Sequence, residues 1–256
     1  MRRWFRAGMG WMLLMCACAP GPWPSPTPAL WEGVRPIGEV LADPGAHMGR
    51  EVWILAYFRG WDVLGEAGGP PPVTGNDVVF ADVSGAIYAD GRTLERIRGA
   101  EKLRPSGIAD ARRLFRLRAR VHRAADGSPY LELLEGEEVK GLPVGVLLRE
   151  EASGGFAGFM LELLVLEEGK ALYIDWKARR RCKTQVEAKE VADLVRALHA
   201  LPGVVGRPVP GGFRHEVTFR EGASFREVTI YTPSQSDEAR PIMEILGRWR
   251  EQGGRC

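Results

Sequence analysis

The 256-residue sequence predicts two folded units, a five-stranded β-barrel over residues 35–140 and an α+β unit over residues 141–256. The first unit contains five short runs rich in β-branched and aromatic residues, separated by turns that contain Gly and Pro. The second unit combines further runs of this kind with two segments whose apolar residues recur at helical spacing. Because 45% of the residues are apolar, both units can bury a core.

The strands predicted for the barrel are interrupted once, between the third and the fourth. There, residues 93–102 predict a helix capped by Thr93. The fourth strand alternates strictly between apolar and polar residues, and Asp126-Gly127 predicts the hairpin turn that follows it. The five predicted strands are residues 51–59, 78–83, 86–89, 114–122 and 130–134.

Five strands with a helix between the third and the fourth is the element order of an OB-fold barrel. The unit also resembles the OB domains of secreted bacterial proteins in three short sequences, ADPGAHMGREV, DVSGAIYADG and DGSPYLEL. This resemblance covers residues 35–140. Since OB-folds bind oligonucleotides or oligosaccharides through one barrel face, the resemblance implies a ligand face here.

Two interpretations apply to that barrel face. In the first, three arginines on one side of the fourth strand and three aromatic residues form a basic surface on which bases or sugars stack. In the second, the arginines are solvated strand residues that pair with Glu132 and Glu135 on the next strand. The residues of the first interpretation are Trp53, Tyr57, Trp61, Arg116, Arg118 and Arg120.

The second unit predicts five strands with two helices against one face of the sheet. Residues 186–201 form the first predicted helix, which Pro202-Gly203 ends, and Asp237 begins the second. Both segments place their apolar residues on one face at helical spacing. The predicted strands are residues 145–151, 159–166, 169–176, 213–219 and 225–231.

The hexapeptide SGGFAG at residues 153–158 lies between the first two of these strands. In this element order it resembles the emfourin family, small bacterial proteins named for an inhibitor of protealysin, a thermolysin-type metalloprotease. The resemblance covers about residues 146–250 and implies a protein partner, a secreted metalloprotease. Two features depart from the family: Gly211-Gly212 stands where an acidic residue is usual, and the basic cluster 179–183 has no counterpart.

The hexapeptide itself leaves two interpretations open. Its glycines permit positive φ or a close approach of two backbones. Phe156 is then either an exposed anchor for a partner's apolar pocket or a core residue beside a β-bulge. The first interpretation predicts a partner-binding site formed by Ser153, Gly154, Gly155, Phe156, Ala157 and Gly158.

The amino-terminal sequence predicts export and lipidation. Three arginines within residues 2–6 precede a nine-residue apolar run at 7–15, which is too short to cross a bilayer as a helix. Ala17-Cys18 follows, and this order resembles a bacterial lipoprotein signal, with residues 1–17 removed and Cys18 lipidated. An ordinary signal peptide with an unmodified cysteine is the alternative. The lipoprotein interpretation predicts a membrane-anchored protein on the extracytoplasmic side.

Residues 18–34 predict a tether between the anchor and the folded units. Proline alternates with small residues from Ala19 to Pro28, and this part of the segment contains no charged residue. Such a sequence adopts extended polyproline conformations of about 3.1 Å per residue. We therefore expect a semi-rigid spacer.

Two further cysteines remain after processing at Cys18, namely Cys182 and Cys256. The extracytoplasmic compartment permits disulfides, so the two are predicted to bridge the last helix to the sheet. Two free thiols are the alternative.

Sequence patterns of catalysis and of nucleic-acid binding are absent. The chain contains no Gly-x-Ser-x-Gly, P-loop, Cys-x-x-Cys or dinucleotide-binding pattern, and its four histidines lack the spacing of metal ligands. Residues 35–140 contain 15 basic and 16 acidic residues and residues 141–256 contain 17 and 16, so neither unit has the basic charge of a nucleic-acid binder. We expect a non-enzymatic protein without cofactor or metal. Its expected function is to bind a protein partner; a ligand-binding barrel and a structural envelope protein are the alternatives.

Overall fold

The computed structural model describes residues 30–233 and 237–255, which form two β-sheets and four α-helices. The strands of the first sheet are β1 Glu51–Gly60, β2 Val78–Ala81, β3 Ala86–Ala89, β4 Ile97–Arg98, β5 Leu114–Arg123 and β6 Pro129–Glu138. The strands of the second sheet are β7 Val146–Gly154, β8 Phe159–Leu166, β9 Lys170–Asp175, β10 Arg180–Gln185, β11 Val204–Val205, β12 Phe213–Glu221 and β13 Ser224–Thr232. The helices are α1 Ile37–Ala42, α2 Pro44–His47, α3 Ala188–Ala200 and α4 Arg240–Gly254.

The first sheet closes into a five-stranded barrel, as the sequence predicts. Its strands follow the order β3-β2-β1-β5-β6, and a parallel pairing of β3 with β6 closes the ring, where Tyr88 lies opposite Tyr130. The interior contains Phe58, Phe80 and Phe115, which meet edge to face at ring distances of 5.6 to 6.4 Å. This geometry suits the quadrupoles of aromatic rings and fills the barrel.

The helix predicted for residues 93–102 does not form. The segment consists instead of two 3-10 turns, Gly91–Arg96 and Ala100–Lys102, on either side of β4. Thr93 is buried, and its hydroxyl donates to the Asp90 carbonyl and accepts a hydrogen bond from the Leu133 amide. Thr93 therefore attaches the segment to the barrel. Gly99, directly before the second turn, has a left-handed backbone conformation, which interrupts any continuous helix.

The second sheet has seven strands in the order β10-β9-β8-β7-β12-β13-β11, two more than predicted. The sequence of β10 is RRCKTQ, which lacks the apolar alternation of a half-buried strand. Charged residues are typical of a sheet edge, where β10 lies. The other additional strand, β11, has only two residues and pairs in parallel with β13.

Both long helices pack on one face of this sheet. The buried residues of α3 are Val191, Leu194 and Leu198, and those of α4 include Ile242, Leu246 and Trp249. They form one core with sheet residues such as Val217 and Phe219. This is the α+β arrangement that the helical spacing predicts.

The opposite face of the second sheet packs against the barrel, so the two units share a third core. The barrel contributes Leu55, Tyr57 and Leu114 from the outer side of β1 and β5. The second sheet contributes Leu164, Leu172, Ile174 and Trp176. Central strands such as β8 are therefore covered on both faces, which explains their nearly continuous apolar sequence.

The amino-terminal end of the described chain also packs at this junction. The Trp31 indole nitrogen donates to the Leu142 carbonyl at 3.0 Å, and its ring meets Phe225 edge to face at 5.2 Å. The Arg220 guanidinium lies 4.6 Å from the centre of the same ring. The last residues of the predicted tether are thus part of the folded body.

Among residues 30–233 and 237–255, no helix has both the length and the apolar character needed to cross a membrane.

Candidate partner-binding site

The SGGFAG hexapeptide forms the hairpin between β7 and β8, and its glycines allow two backbones to meet. Gly154 has a φ of 129°, and a Cβ atom there would lie closer than 3.0 Å to the Gly212 carbonyl oxygen. The next amide, that of Gly155, donates to the same oxygen at 3.0 Å. Since side chains avoid both this φ and this separation, the hairpin requires glycine at position 154.

Phe156 projects from the hairpin into solvent, with 96% of its surface exposed. The edge of its ring lies beside Gly211, where a Cβ atom would collide with the ring. Of the two interpretations of the hexapeptide, the structure has the geometry of the exposed anchor and not that of an inward-packed residue. Exposing so large an apolar side chain is unfavourable in an isolated protein, which is why such residues mark interaction sites.

Two more phenylalanines extend the apolar surface around the hairpin. Phe159, 44% exposed, stacks on Phe213 at a ring distance of 6.1 Å. We call Phe156, Phe159 and Phe213 the aromatic tip. The Lys177 ammonium donates to the Ala157 carbonyl at 2.6 Å and so connects the hairpin to the turn after β9. The tip is therefore presented on a backbone that is tied down on both sides.

A buried hydrogen-bond network lies directly behind Phe213. His215, two residues along β12, contacts the Glu150 carboxylate through Nδ1 at 2.8 Å and the Thr232 hydroxyl through Nε2 at 3.2 Å. The Arg250 guanidinium, from α4, donates to the same carboxylate at 2.7 Å. His215, Thr232 and Arg250 border a pocket of about 380 Å³ between α4 and the sheet.

Two of the three arginines predicted for the barrel face, Arg118 and Arg120, are paired with glutamates. Arg118 lies 3.2 Å from Glu51 and 2.9 Å from Glu135, and Arg120 lies 2.9 Å from Glu51 and 3.8 Å from Glu132. This is the geometry that the second interpretation of this face describes. The charges face one another across the strands, so they give no uncompensated positive surface.

The aromatic residues predicted for the barrel face do not lie together. Trp53 stacks with Arg116, whose guanidinium is 4.6 Å from the ring centre. Trp61 is 55% exposed, beyond the far end of β1. Tyr57 is fully buried in the core between the two units, so its prediction as a ligand-stacking residue is wrong. Its side of β1 is the one that the second sheet covers, which the barrel sequence alone does not reveal.

Around Tyr57, the junction contains buried ion pairs. Arg59 pairs with Glu66 at 2.7 Å, and Arg149 pairs with Glu162 at 2.7 Å and with Glu151 at 3.0 Å. Burial opposes charge on all of them, yet the positive charge of Arg149 lowers the pKa of the Glu162 carboxyl. The pKa of the Glu151 carboxyl is raised, first by burial and then by the negative charge of Glu162. The pKa of the Tyr57 hydroxyl is raised by burial.

The cysteine predictions fall partly on residues that the structure does not describe. The predicted lipidation site Cys18 and the predicted bridging residue Cys256 both lie outside the described residues. Cys182 is buried in β10 and is disulfide-bonded.

Within the described ranges, no cluster of three or more His, Cys, Asp or Glu side chains has a geometry that could hold a metal ion. Comparison with protein-family models and with curated proteins finds no match to this chain.

Sequence analysis singled out Phe156 but missed its two aromatic neighbours and the pocket. Phe159 and Phe213 occupy strand positions where an apolar residue is ordinary. The pocket is formed by residues from four strands and one helix, and its first and last lining residues, Ala152 and Glu251, are about 100 positions apart in the sequence. The run Phe213-Arg-His215 at the start of a strand is the only local signal, because it places a histidine on the same face as an aromatic residue.

Proposed function

We propose that this chain is a non-enzymatic bacterial lipoprotein that binds a protein partner through its aromatic tip. The observation that supports this most is the exposure of Phe156 on a hairpin whose backbone is held by hydrogen bonds at Gly155 and Ala157. Large aromatic residues that enter a partner's pocket supply much of the binding energy of an interface. Because the hairpin geometry is already formed, little conformational entropy is lost on binding.

The partner we propose is a secreted thermolysin-type metalloprotease, which the chain inhibits. The basis is the resemblance of the second unit to emfourins, together with the exposure of the hexapeptide that supports this resemblance. A thermolysin-type protease has an apolar specificity pocket, which an exposed phenylalanine can fill. In the same proposal, the barrel is an OB-like domain that positions the second unit.

The fold also suits presentation from a membrane. Phe213, at one end of β12, belongs to the aromatic tip, whereas Arg220, near the other end, contacts Trp31. Seven residues of strand span about 24 Å. The predicted tether, residues 18–34, would thus join the fold at the end of the sheet opposite the tip, which leaves the tip free to meet a partner.

Inhibition of the protease tests this proposal. The exported chain carrying Cys18→Ala should slow a thermolysin-type protease secreted by the same bacterium, and Phe156→Ala should weaken inhibition by about tenfold or more. The whole chain is needed, because a fragment that starts near Val144 would expose the core shared with the barrel. Trp61→Ala is the matched control, since it removes an exposed aromatic residue from the other unit.

The same pair of variants separates the proposal from its main alternative, ligand capture by the barrel. If Trp61→Ala weakens partner or ligand binding and Phe156→Ala does not, the barrel is the binding unit. Absence of inhibition at high micromolar concentration of the unmutated chain would refute the protease as partner. The ion pairs of Arg118 and Arg120 already make the barrel face a weaker candidate.

A further inference from the structure

The pocket behind the aromatic tip has apolar walls and an opening that a glycine provides. Its volume, about 380 Å³, is within the range of small-molecule sites. Gly247 lies in the interior of α4, where a Cβ atom would contact only the Arg250 guanidinium, at 3.9 Å. Glycine in a helix interior lowers the stability of the helix. At position 247, the missing side chain leaves the space of the pocket open. The apolar wall residues are Ala152, Leu161, Phe213 and Met243.

The inner end of the pocket is polar, and its hydrogen bonds fix which atoms remain available. His215 Nδ1 lies 2.8 Å from a Glu150 carboxylate oxygen and 3.2 Å from the Arg250 guanidinium. The carboxylate can only accept and is the nearer group, so we assign the His215 proton to Nδ1, which donates to the carboxylate. His215 Nε2 is then the acceptor for the Thr232 hydroxyl proton. The lone pairs of the Thr232 oxygen remain free to accept a hydrogen bond from a molecule in the pocket.

The charges at this end compensate one another. Arg250 is paired with Glu150 at 2.7 Å, and His215 in the assigned tautomer is uncharged. Glu251 lies at the rim with its side chain in solvent. An anionic group entering the pocket would therefore find no unpaired positive charge, and burying it would be costly. The pocket suits an uncharged group with an apolar body and a hydrogen-bond donor at its end.

We propose that this pocket binds a neutral hydroxyaryl group, and that in the complex this group is a tyrosine side chain of the protein partner. The assignment to the partner rests on the proposed function. Phe213 belongs to both the aromatic tip and the pocket wall, so a partner that covers the tip also covers the pocket mouth. In such an interface, Phe156 would enter a pocket of the partner, and a tyrosine side chain of the partner would enter the pocket described here.

Binding of two small probes to the whole Cys18→Ala chain tests the pocket without any protease. N-acetyl-tyrosinamide should shift the methyl NMR signals of Met243 and Thr232 saturably, with a Kd of about 1 mM. N-acetyl-phenylalaninamide, which lacks the hydroxyl, should bind about threefold to tenfold more weakly. Thr232→Val removes the acceptor at nearly equal volume and should make the two affinities equal.

A variant in which a new side chain fills the pocket provides a second test. Gly247→Leu should abolish probe binding, because its side chain occupies the pocket. Gly254→Leu adds the same side chain to the same helix at a position with open space around it, so it should leave binding unchanged. Absence of saturable shifts in the unmutated chain, or full binding by Gly247→Leu, would overturn the proposed pocket.

The outcomes also separate this inference from the proposed function. Phe156 does not line the pocket, so Phe156→Ala should leave probe affinity unchanged whether or not the protease is the partner. In the inhibition assay, Gly247→Leu should weaken inhibition by at least fivefold. If the probe binds but Gly247→Leu inhibits normally, the pocket stands and the partner's tyrosine is ruled out as its occupant.

Discussion

Glu151 lies directly opposite Glu216 where β7 pairs with β12, and Glu162 lies opposite Glu151 on its other side. Three glutamates thus form one row across three neighbouring strands. Like charges that face each other directly across strands are destabilising. Arg149 and Arg112 approach Glu151 at 3.0 and 3.2 Å and oppose this repulsion. The pKa of the Glu151 carboxyl is nevertheless raised, first by burial and then by the negative charges of Glu162 and Glu216.

This row predicts a stability that depends on pH. A carboxyl whose pKa is raised in the folded state contributes stability below its unfolded pKa, and this contribution is lost as the pH rises through the folded pKa. Glu151→Gln removes the ionisation, so its effect on the melting temperature should be more favourable at pH 8 than at pH 4, by about 2 °C or more. Thermal denaturation at both pH values measures this, with Glu244→Gln on the exposed side of α4 as control. An equal effect of Glu151→Gln at both pH values would contradict the prediction.

Because two backbones approach closely at Gly154, we expect that adding a methyl group there destabilises the fold, whereas adding one at an uncrowded glycine does not. Gly154→Ala should lower the free energy of unfolding by about 1–3 kcal/mol, because the methyl group meets the Gly212 carbonyl at a φ that alanine disfavours. Gly203→Ala, at a position with open space and no left-handed backbone, should change it by less than about 0.5 kcal/mol. Urea denaturation of the two variants gives the comparison. Equal stabilities would mean that the hairpin accommodates a side chain at position 154.

The end of α4 lies above the strand that contains Cys182, which favours Cys256 as its disulfide partner. Cys182 is opposite Tyr173 in the pairing of β10 with β9, and Gly253 packs so closely on Tyr173 that a Cβ atom would not fit. A bond to Cys256 would close a loop of about 74 residues and stabilise the fold by about 4 kcal/mol in the loop-entropy model. Peptide mapping without reductant should recover the two cysteines in one cross-linked peptide pair. Two separate free-thiol peptides would refute the bridge.

The lipid anchor predicts a change of location on substitution of one residue. Cys18→Ala removes the acceptor of the lipid, and without acyl chains no stable membrane attachment remains. The variant should move from the membrane fraction to the soluble exported fraction, as immunoblotting of washed membranes would measure. Cys16→Ala, two residues earlier in the same segment, is the control for loss of a cysteine as such. A variant that stays with the membranes after washing would show that Cys18 is not the anchor.

The sequence by itself determined the two units, the strand pattern of the barrel and the two long helices. These features depend on interactions between residues close in the chain, namely the alternation of side chains along a strand and the 3.6-residue period of a helix. The sequence also identified the hexapeptide as a candidate site, because three glycines around Phe156 indicate a turn with an unusual backbone conformation. Whether Phe156 is exposed was not determined, since either direction is compatible with the turn.

Only the tertiary structure decided how the two units meet. Tyr57 and Trp53 lie on the same side of β1, and only the position of the second sheet makes one buried and leaves the other at the surface. For the same reason, the charged strand β10 is recognised as a strand only when β9 pairs with it. The hydrogen-bond network behind Phe213 likewise joins residues up to 100 positions apart, such as Glu150 and Arg250. Such contacts depend on packing between distant segments, on which the local periodicity of a sequence contains no information.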